Sequence, residues 1–285
     1  MMIYNLGHES WELCGYWPCV PFKVQSTEAR QELLGVTDPM PATVPGSVHA
    51  ALLKNGYIQD PFFSDNSLCC EWLENRWWKF SCRFTLPREL KGKRLLLELK
   101  GMDYKAHIFL QGEYMGVHEG MYTPYRLDAT TLLKAGEENY LEILLEHAPD
   151  EMSQIGYTEQ THTQKARFNY KWDFSTRMVH LGIWDDVIIR TVEEDALLYP
   201  TARSYRKGSD WLVKFETELD AISDNRTVTA WIGEENGRVA CILTPVEQHG
   251  VTVYTGKVVF NKPVLWTLGG DQSAALYPYG IEVYT

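Results

Sequence analysis

The chain has 285 residues, a formal net charge of −11, 45% hydrophobic and 23% charged residues. That is ordinary globular composition, with length for about two domains. No Lys/Arg cluster marks a nucleic-acid partner, the acidic balance disfavours anionic membranes, and no apolar run nears the ~18 residues of a membrane span.

The opening MMIYNLGHESWEL lacks a basic region followed by an apolar one, so no signal peptide is read there and a cytoplasmic location is expected. Residues 26–35 (STEARQELLG) form a weak helix candidate, and residues 47–56 (SVHAALLKNG) a stronger one. In the second, Ser47 can cap the start, the Ala and Leu residues favour a helix, and Gly56 can end it. Asp60-Pro61 reads as a turn.

From there the pattern is β. Residues 77–86 (WWKFSCRFTL) and 93–101 (KRLLLELKG) read as strands, and residues 106–118 (AHIFLQGEYMGVH) as a hairpin turning near Gln111-Gly112. In residues 139–147 (NYLEILLEH), Leu141, Ile143 and Leu145 face one way and Glu142 and Glu146 the other. This period of two is the mark of a half-buried strand. Asp103 is read as a brace for the hairpin, and His49 as a brace for the helix. His107 and His118 flank the hairpin without a third ligand, so no metal is expected.

A composition shift at residues 191–196 separates two strand series. Residues 1–192 are expected to form a jelly-roll sandwich and residues 193–285 an immunoglobulin-like sandwich, an all-β fold throughout. The chain stops at Thr285, inside or just after a strand, and the natural polypeptide is expected to continue. The six cysteines, Cys14, Cys19, Cys69, Cys70, Cys82 and Cys241, match no zinc spacing and read as free thiols, mostly buried. Aromatics reach 13%; most are expected in the core, and the remainder suit stacking on sugar rings.

The densest stretch is KARFNYKWDFSTRMVHLGIWDDVIIR, residues 165–190. It crowds Arg167, Lys171, Asp173, Arg177 and His180 around Trp172 and Trp184, then turns into a strand. Trp184 is expected in the core because it leads directly into that strand. Asp173 has two readings here: a sugar-binding carboxylate, or a structural ion pair with Arg167, Lys171 or Arg177.

Five segments in order resemble the glycoside hydrolase family 2, especially its β-mannosidase-like members. They are TVPGSVHAALLKNGYIQDPF (43–62), ENRWWKFSCRF (74–84), GMDYKAHIFLQGEYMGVHEGMYTPYRLDATTLL (101–133), KWDF…GIWDDVIIR (171–190) and PVLWTLGGDQSAALYPYGIEV (263–283). The resemblance implies a galactose-binding-like jelly roll, an immunoglobulin-like domain and then a (β/α)₈ barrel. In such retaining exo-β-glycosidases the barrel carries two catalytic glutamates, the acid/base one following an Asn. This chain has no Asn-Glu dipeptide and no strand–helix alternation. The catalytic residues, and the barrel as partner, are therefore expected outside it, and the chain alone is expected to be inactive.

The resemblance implies that Asp173, with Trp172 beside it, accepts hydrogen bonds from hydroxyls of the terminal sugar; Lys171 and Arg167, from the same charged stretch, complete the expected substrate-binding set. No cofactor is implied. Lys171 stands where the family has Gly, Phe174 replaces a second Trp, and Ser175-Thr176 replaces Gly-Pro, so the choice between mannoside and galactoside stays open. A stand-alone carbohydrate-binding protein and a purely structural or dimerisation role are the other readings.

Overall fold

The computed structural model describes residues 1–17, 37–151, 161–193, 195–220, 225–248, 251–265 and 275–284. The weak helix candidate at 26–35, Cys19 and part of the last family-like segment lie outside them. The chain divides into two compact units, Met1–Thr191 and Val192–Thr285.

The first unit is a jelly-roll sandwich of antiparallel sheets. Its six-stranded sheet runs, in spatial order, Met40–Ala42, Trp11–Tyr16, Trp77–Thr85, Glu138–Leu145, Lys105–Leu110 and Glu113–Glu119. A four-stranded sheet runs Ile3–Asn5, Val187–Thr191, Leu95–Leu99 and Tyr125–Asp128. The alternating residues set the register. Leu13 lies opposite Phe80, Phe80 opposite Ile143, and Ile143 opposite Ile108. All four are fully buried, and each such side chain contributes about 1.5–3 kcal/mol. Leu97 and Ile189, paired in the other sheet, belong to the same core. The turn Gln111-Gly112 holds both residues at positive φ, +55° and +78°, as a two-residue hairpin loop requires.

A third, short sheet positions the loop of interest. Gly182–Ile183 lies between Gly46–Ser47 and Met102–Asp103. Gly182 is needed there, because a Cβ would fall 2.4 Å from the Gly46 carbonyl oxygen. The helix Val48–Lys54 follows directly, and the Ser47 hydroxyl accepts from Ala50 N–H at 3.2 Å to cap it.

The second unit is an immunoglobulin-like sandwich. Its strands are Ala196–Lys207, Asp210–Asp220, Thr227–Ile232, Val239–Gln248, Val251–Val259 and Tyr279–Tyr284. Val239–Gln248 changes partners part-way: Val239–Leu243 pair with Val228–Ile232, and Thr244–Gln248 pair with Val251–Thr255. Val213, Phe215, Val228, Ala230, Ile232, Leu243 and Val258 form its buried core.

One expectation about burial needs correction. Trp184 is not core: it is 40% exposed. It lies over Gly101, where a Cβ would come within 2.5 Å of the indole, and its Nε1 donates to the Met121 carbonyl at 3.0 Å. Trp184 follows the buried strand Gly182–Ile183 of the short sheet, and its ring lies edge-on to that of Tyr122, itself exposed. The described cysteines are mostly buried, as expected: Cys14, Cys70 and Cys82 are buried, Cys241 is intermediate, and Cys69 is exposed.

Candidate functional site

The dense stretch forms a closed loop with a rigid neck. A 3-10 turn over Arg167–Tyr170 leads to Lys171, whose φ of +125° is a left-handed conformation. That conformation is costly for any residue with a Cβ. The chain then reverses sharply. Ser175 N–H donates to the Trp172 carbonyl at 3.2 Å, Ser175 Oγ donates to the Phe168 carbonyl at 2.9 Å, and Met178 N–H donates to the Asn169 carbonyl at 2.9 Å. These bonds tie the outgoing strand of the loop to the incoming one.

Asp173 sits at the tip of this reversal. It is exposed and has no ion pair or hydrogen bond among the described residues. Phe174 beside it is 79% exposed. Trp172 is half-buried, with its ring edge-on to Phe174 at 6.1 Å. Lys171 is exposed as well.

The ion-pair reading of Asp173 is not realised, because the arginines are taken. Arg177 holds Glu74 in a bidentate pair, at 3.0 and 2.5 Å, and reaches Glu71 at 3.2 Å. The hydrogen bonds to Glu74 hold the Arg177 guanidinium above its usual pKa. Arg167 pairs with Glu151 at 2.8 Å, and Thr163 Oγ1 donates to the same carboxylate at 2.5 Å. Burial alone would raise Glu151, but these bonds and the Arg167 charge outweigh it and hold the carboxyl low. Tyr170 is buried, which pushes its phenol up, and it donates to the Pro149 carbonyl at 2.7 Å. Beside the loop, a polar cleft of about 300 Å³ is lined by Glu74, Asp150, Glu151, Tyr170 and Arg177.

The neck is fastened by groups that have no sequence signature. Lys165 and Asp103 are 3% and 2% exposed and form an ion pair. Lys165 Nζ also donates to the His180 carbonyl at 2.5 Å. Burial raises Asp103 and lowers Lys165, and each charge pulls the other back towards its ionised form. Asp103 therefore braces this loop. Of the four candidate residues, Asp173, Trp172 and Lys171 share the tip, and Arg167 lies at the neck with Glu151. The remaining candidates are used locally. His107 lies 2.7 Å from Glu146 and 3.1 Å from Tyr114 Oη, and His118 Nε2 donates to the Gly120 carbonyl at 3.0 Å. Among the described residues no group of three or more His, Cys, Asp or Glu could hold a metal ion.

A family model described as glycosyl hydrolase 2 galactose-binding domain-like matches residues 22–185. A β-mannosidase of Mus musculus is 29% identical over 206 residues, which is 65% of this chain and 23% of that protein. β-Mannosidase B of Neosartorya fischeri is 26% identical over 274 residues, 86% of this chain and 30% of that protein. The chain thus spans less than a third of the length of these curated relatives. Among solved structures, a β-D-mannosidase from Dictyoglomus thermophilum aligns with a TM-score of 0.66 at 23% identity, covering 100% of this chain and 34% of that one. A Bifidobacterium dentium β-glucuronidase aligns with a TM-score of 0.53 at 18% identity, covering 99% and 45%. At these identities the structural likeness shows the fold.

Proposed function

The chain belongs to the glycosyl hydrolase 2 galactose-binding-like family, and from that premise we propose that it is the N-terminal, non-catalytic part of a retaining exo-β-glycosidase. The parent enzyme is of β-mannosidase or β-galactosidase type. Its (β/α)₈ barrel lies outside this chain and hydrolyses the O-glycosidic bond, while the jelly roll walls one side of the sugar pocket. The names of the curated relatives support the activity class.

One observation carries the assignment to this loop. Asp173 is an exposed carboxylate without a counter-charge among the described residues, on a loop whose arginines are already paired. An ionised carboxylate can accept from two adjacent sugar hydroxyls, and such charge-assisted bonds exceed neutral ones. Trp172 and Phe174 beside it offer apolar faces to a sugar ring. Lys171 and, at the neck, Arg167 complete the proposed set. In this reading the protein is cytoplasmic, which the free thiols Cys14, Cys69, Cys70, Cys82 and Cys241 support.

The test is hydrolysis of p-nitrophenyl β-mannoside and β-galactoside. The intact enzyme should turn over one of them, and the 285-residue chain neither. Turnover by the chain alone would place the two carboxylates of a retaining mechanism within it and overturn the division of labour. The family description also supports a second reading, a stand-alone carbohydrate-binding protein. That reading predicts sugar binding by the chain with no barrel in the same polypeptide.

A further inference from the structure

His49 stands on the first turn of the helix Val48–Lys54, is 7% exposed, and has an Nδ1 without a hydrogen-bond partner. Its ring meets that of His180 edge to face, with centroids 5.5 Å apart. The His180 carbonyl oxygen receives Lys165 Nζ, and the same ammonium is paired with Asp103. One cation thus joins the residue before the loop, the residue that ends it, and the short sheet beside it.

The charged groups facing the two imidazoles are few. Lys165 and, through it, Asp103 lie on the loop side. On the helix side, a crevice bounded by His49, Cys70, Glu71, Glu74 and Arg177 has no room for a water-sized sphere. Arg177 holds both Glu71 and Glu74, so one guanidinium is shared by two carboxylates, and its bidentate pair is with Glu74. No carboxylate is hydrogen-bonded to either ring among the described residues.

We propose that His49, His180, Lys165 and Asp103 form a proton-operated latch on the loop 166–179, closed while both imidazoles are neutral and opened by a proton on either one. An imidazolium at His49 would be withdrawn from water and would face the Lys165 ammonium with no carboxylate hydrogen-bonded to its ring. Opening the loop relieves that repulsion by letting water reach the rings. The titration runs in the same direction. Burial, then the His180 and Lys165 charges, lower His49 from 6.5 to about 4. Burial and Lys165 lower His180 as well.

The sign follows from proton counting. The His49 imidazole, once released from the closed loop, binds its proton near 6.5 and, held inside, only near 4; His180 is lowered in the same direction. The open form therefore carries more protons, and closure weakens as pH falls through that window. The latch is independent of what Asp173 binds, so its failure and the failure of the sugar reading are separate results.

Hydrogen exchange of the amides of residues 166–179 in the 285-residue chain tests it, after correction for the intrinsic pH dependence of exchange. Between neutral pH and about 4, protection should fall roughly tenfold for each unit by which an imidazole pKa is held down. The strand Glu138–Leu145 should keep its protection. The double variant His49→Gln/His180→Gln should be protected at neutral pH and lose most of the pH dependence. Flat protection in the unaltered chain, or the same decline in the double variant, overturns the latch. Should that variant fail to fold, NMR titration of the imidazoles in the unaltered chain decides. Both rings titrating below 6.5 supports the latch, and either titrating at or above it overturns it.

Discussion

The neck and the tip of the loop between Lys165 and His180 obey opposite electrostatic rules. At the neck, Lys165 with Asp103, Arg167 with Glu151 and Arg177 with Glu74 are matched pairs, withdrawn from water to different degrees. At the tip, Asp173 is in water and matched by nothing among the described residues. A buried charge is tolerated only with its partner close by. An exposed carboxylate needs no such partner, and its acceptors stay available. The difference teaches how the loop can be stiff and still present a free anion: the ion pairs hold the chain and leave the tip open.

The sharpest way to break this contrast is to strip the neck. Lys165→Met leaves Asp103 buried without its counter-charge and should lower stability by about 3–5 kcal/mol in urea unfolding. A loss below about 1 kcal/mol would mean that the pair is solvated. Gly182→Ala attacks the short sheet below the neck, where the added Cβ would lie 2.4 Å from a backbone oxygen. Its expected cost is about 1–3 kcal/mol, read from the same curve. Lys171→Gly acts at the approach to the tip and in the other direction. Relief of the positive φ should raise stability by about 1 kcal/mol, less the added freedom of the unfolded chain. Asp173→Ala should change stability by less than about 0.5 kcal/mol. A larger loss would mean that the carboxylate is structural and the contrast false.

Much of the strand pattern was legible in the sequence. Alternation put Leu141, Ile143 and Leu145 on one face, and Gln111-Gly112 marked the hairpin turn, because both signals are local. The tip was legible too, since Trp172, Asp173 and Phe174 are consecutive. The neck was not. Lys165 meets Asp103 across 62 residues and Arg177 meets Glu74 across 103, and no period or motif announces such a pairing. The exposure of Trp184 was not legible for a related reason: it lies between the strands Gly182–Ile183 and Val187–Thr191 of two different sheets, and nearness to a buried strand does not say that a residue between strands is buried. The neighbour of His49 was not legible either: the helix is capped by Ser47, and the ring that meets His49, on His180, arrives from the far end of the loop.

The central claim is that the Asp173 carboxylate touches substrate while a barrel outside this chain breaks the bond. The most direct measurement is kcat/KM of Asp173→Ala in the intact enzyme. Loss of a charge-assisted hydrogen bond of about 1.5–3 kcal/mol predicts a fall of roughly tenfold or more with stability unchanged. A fall of less than about threefold would contradict the claim.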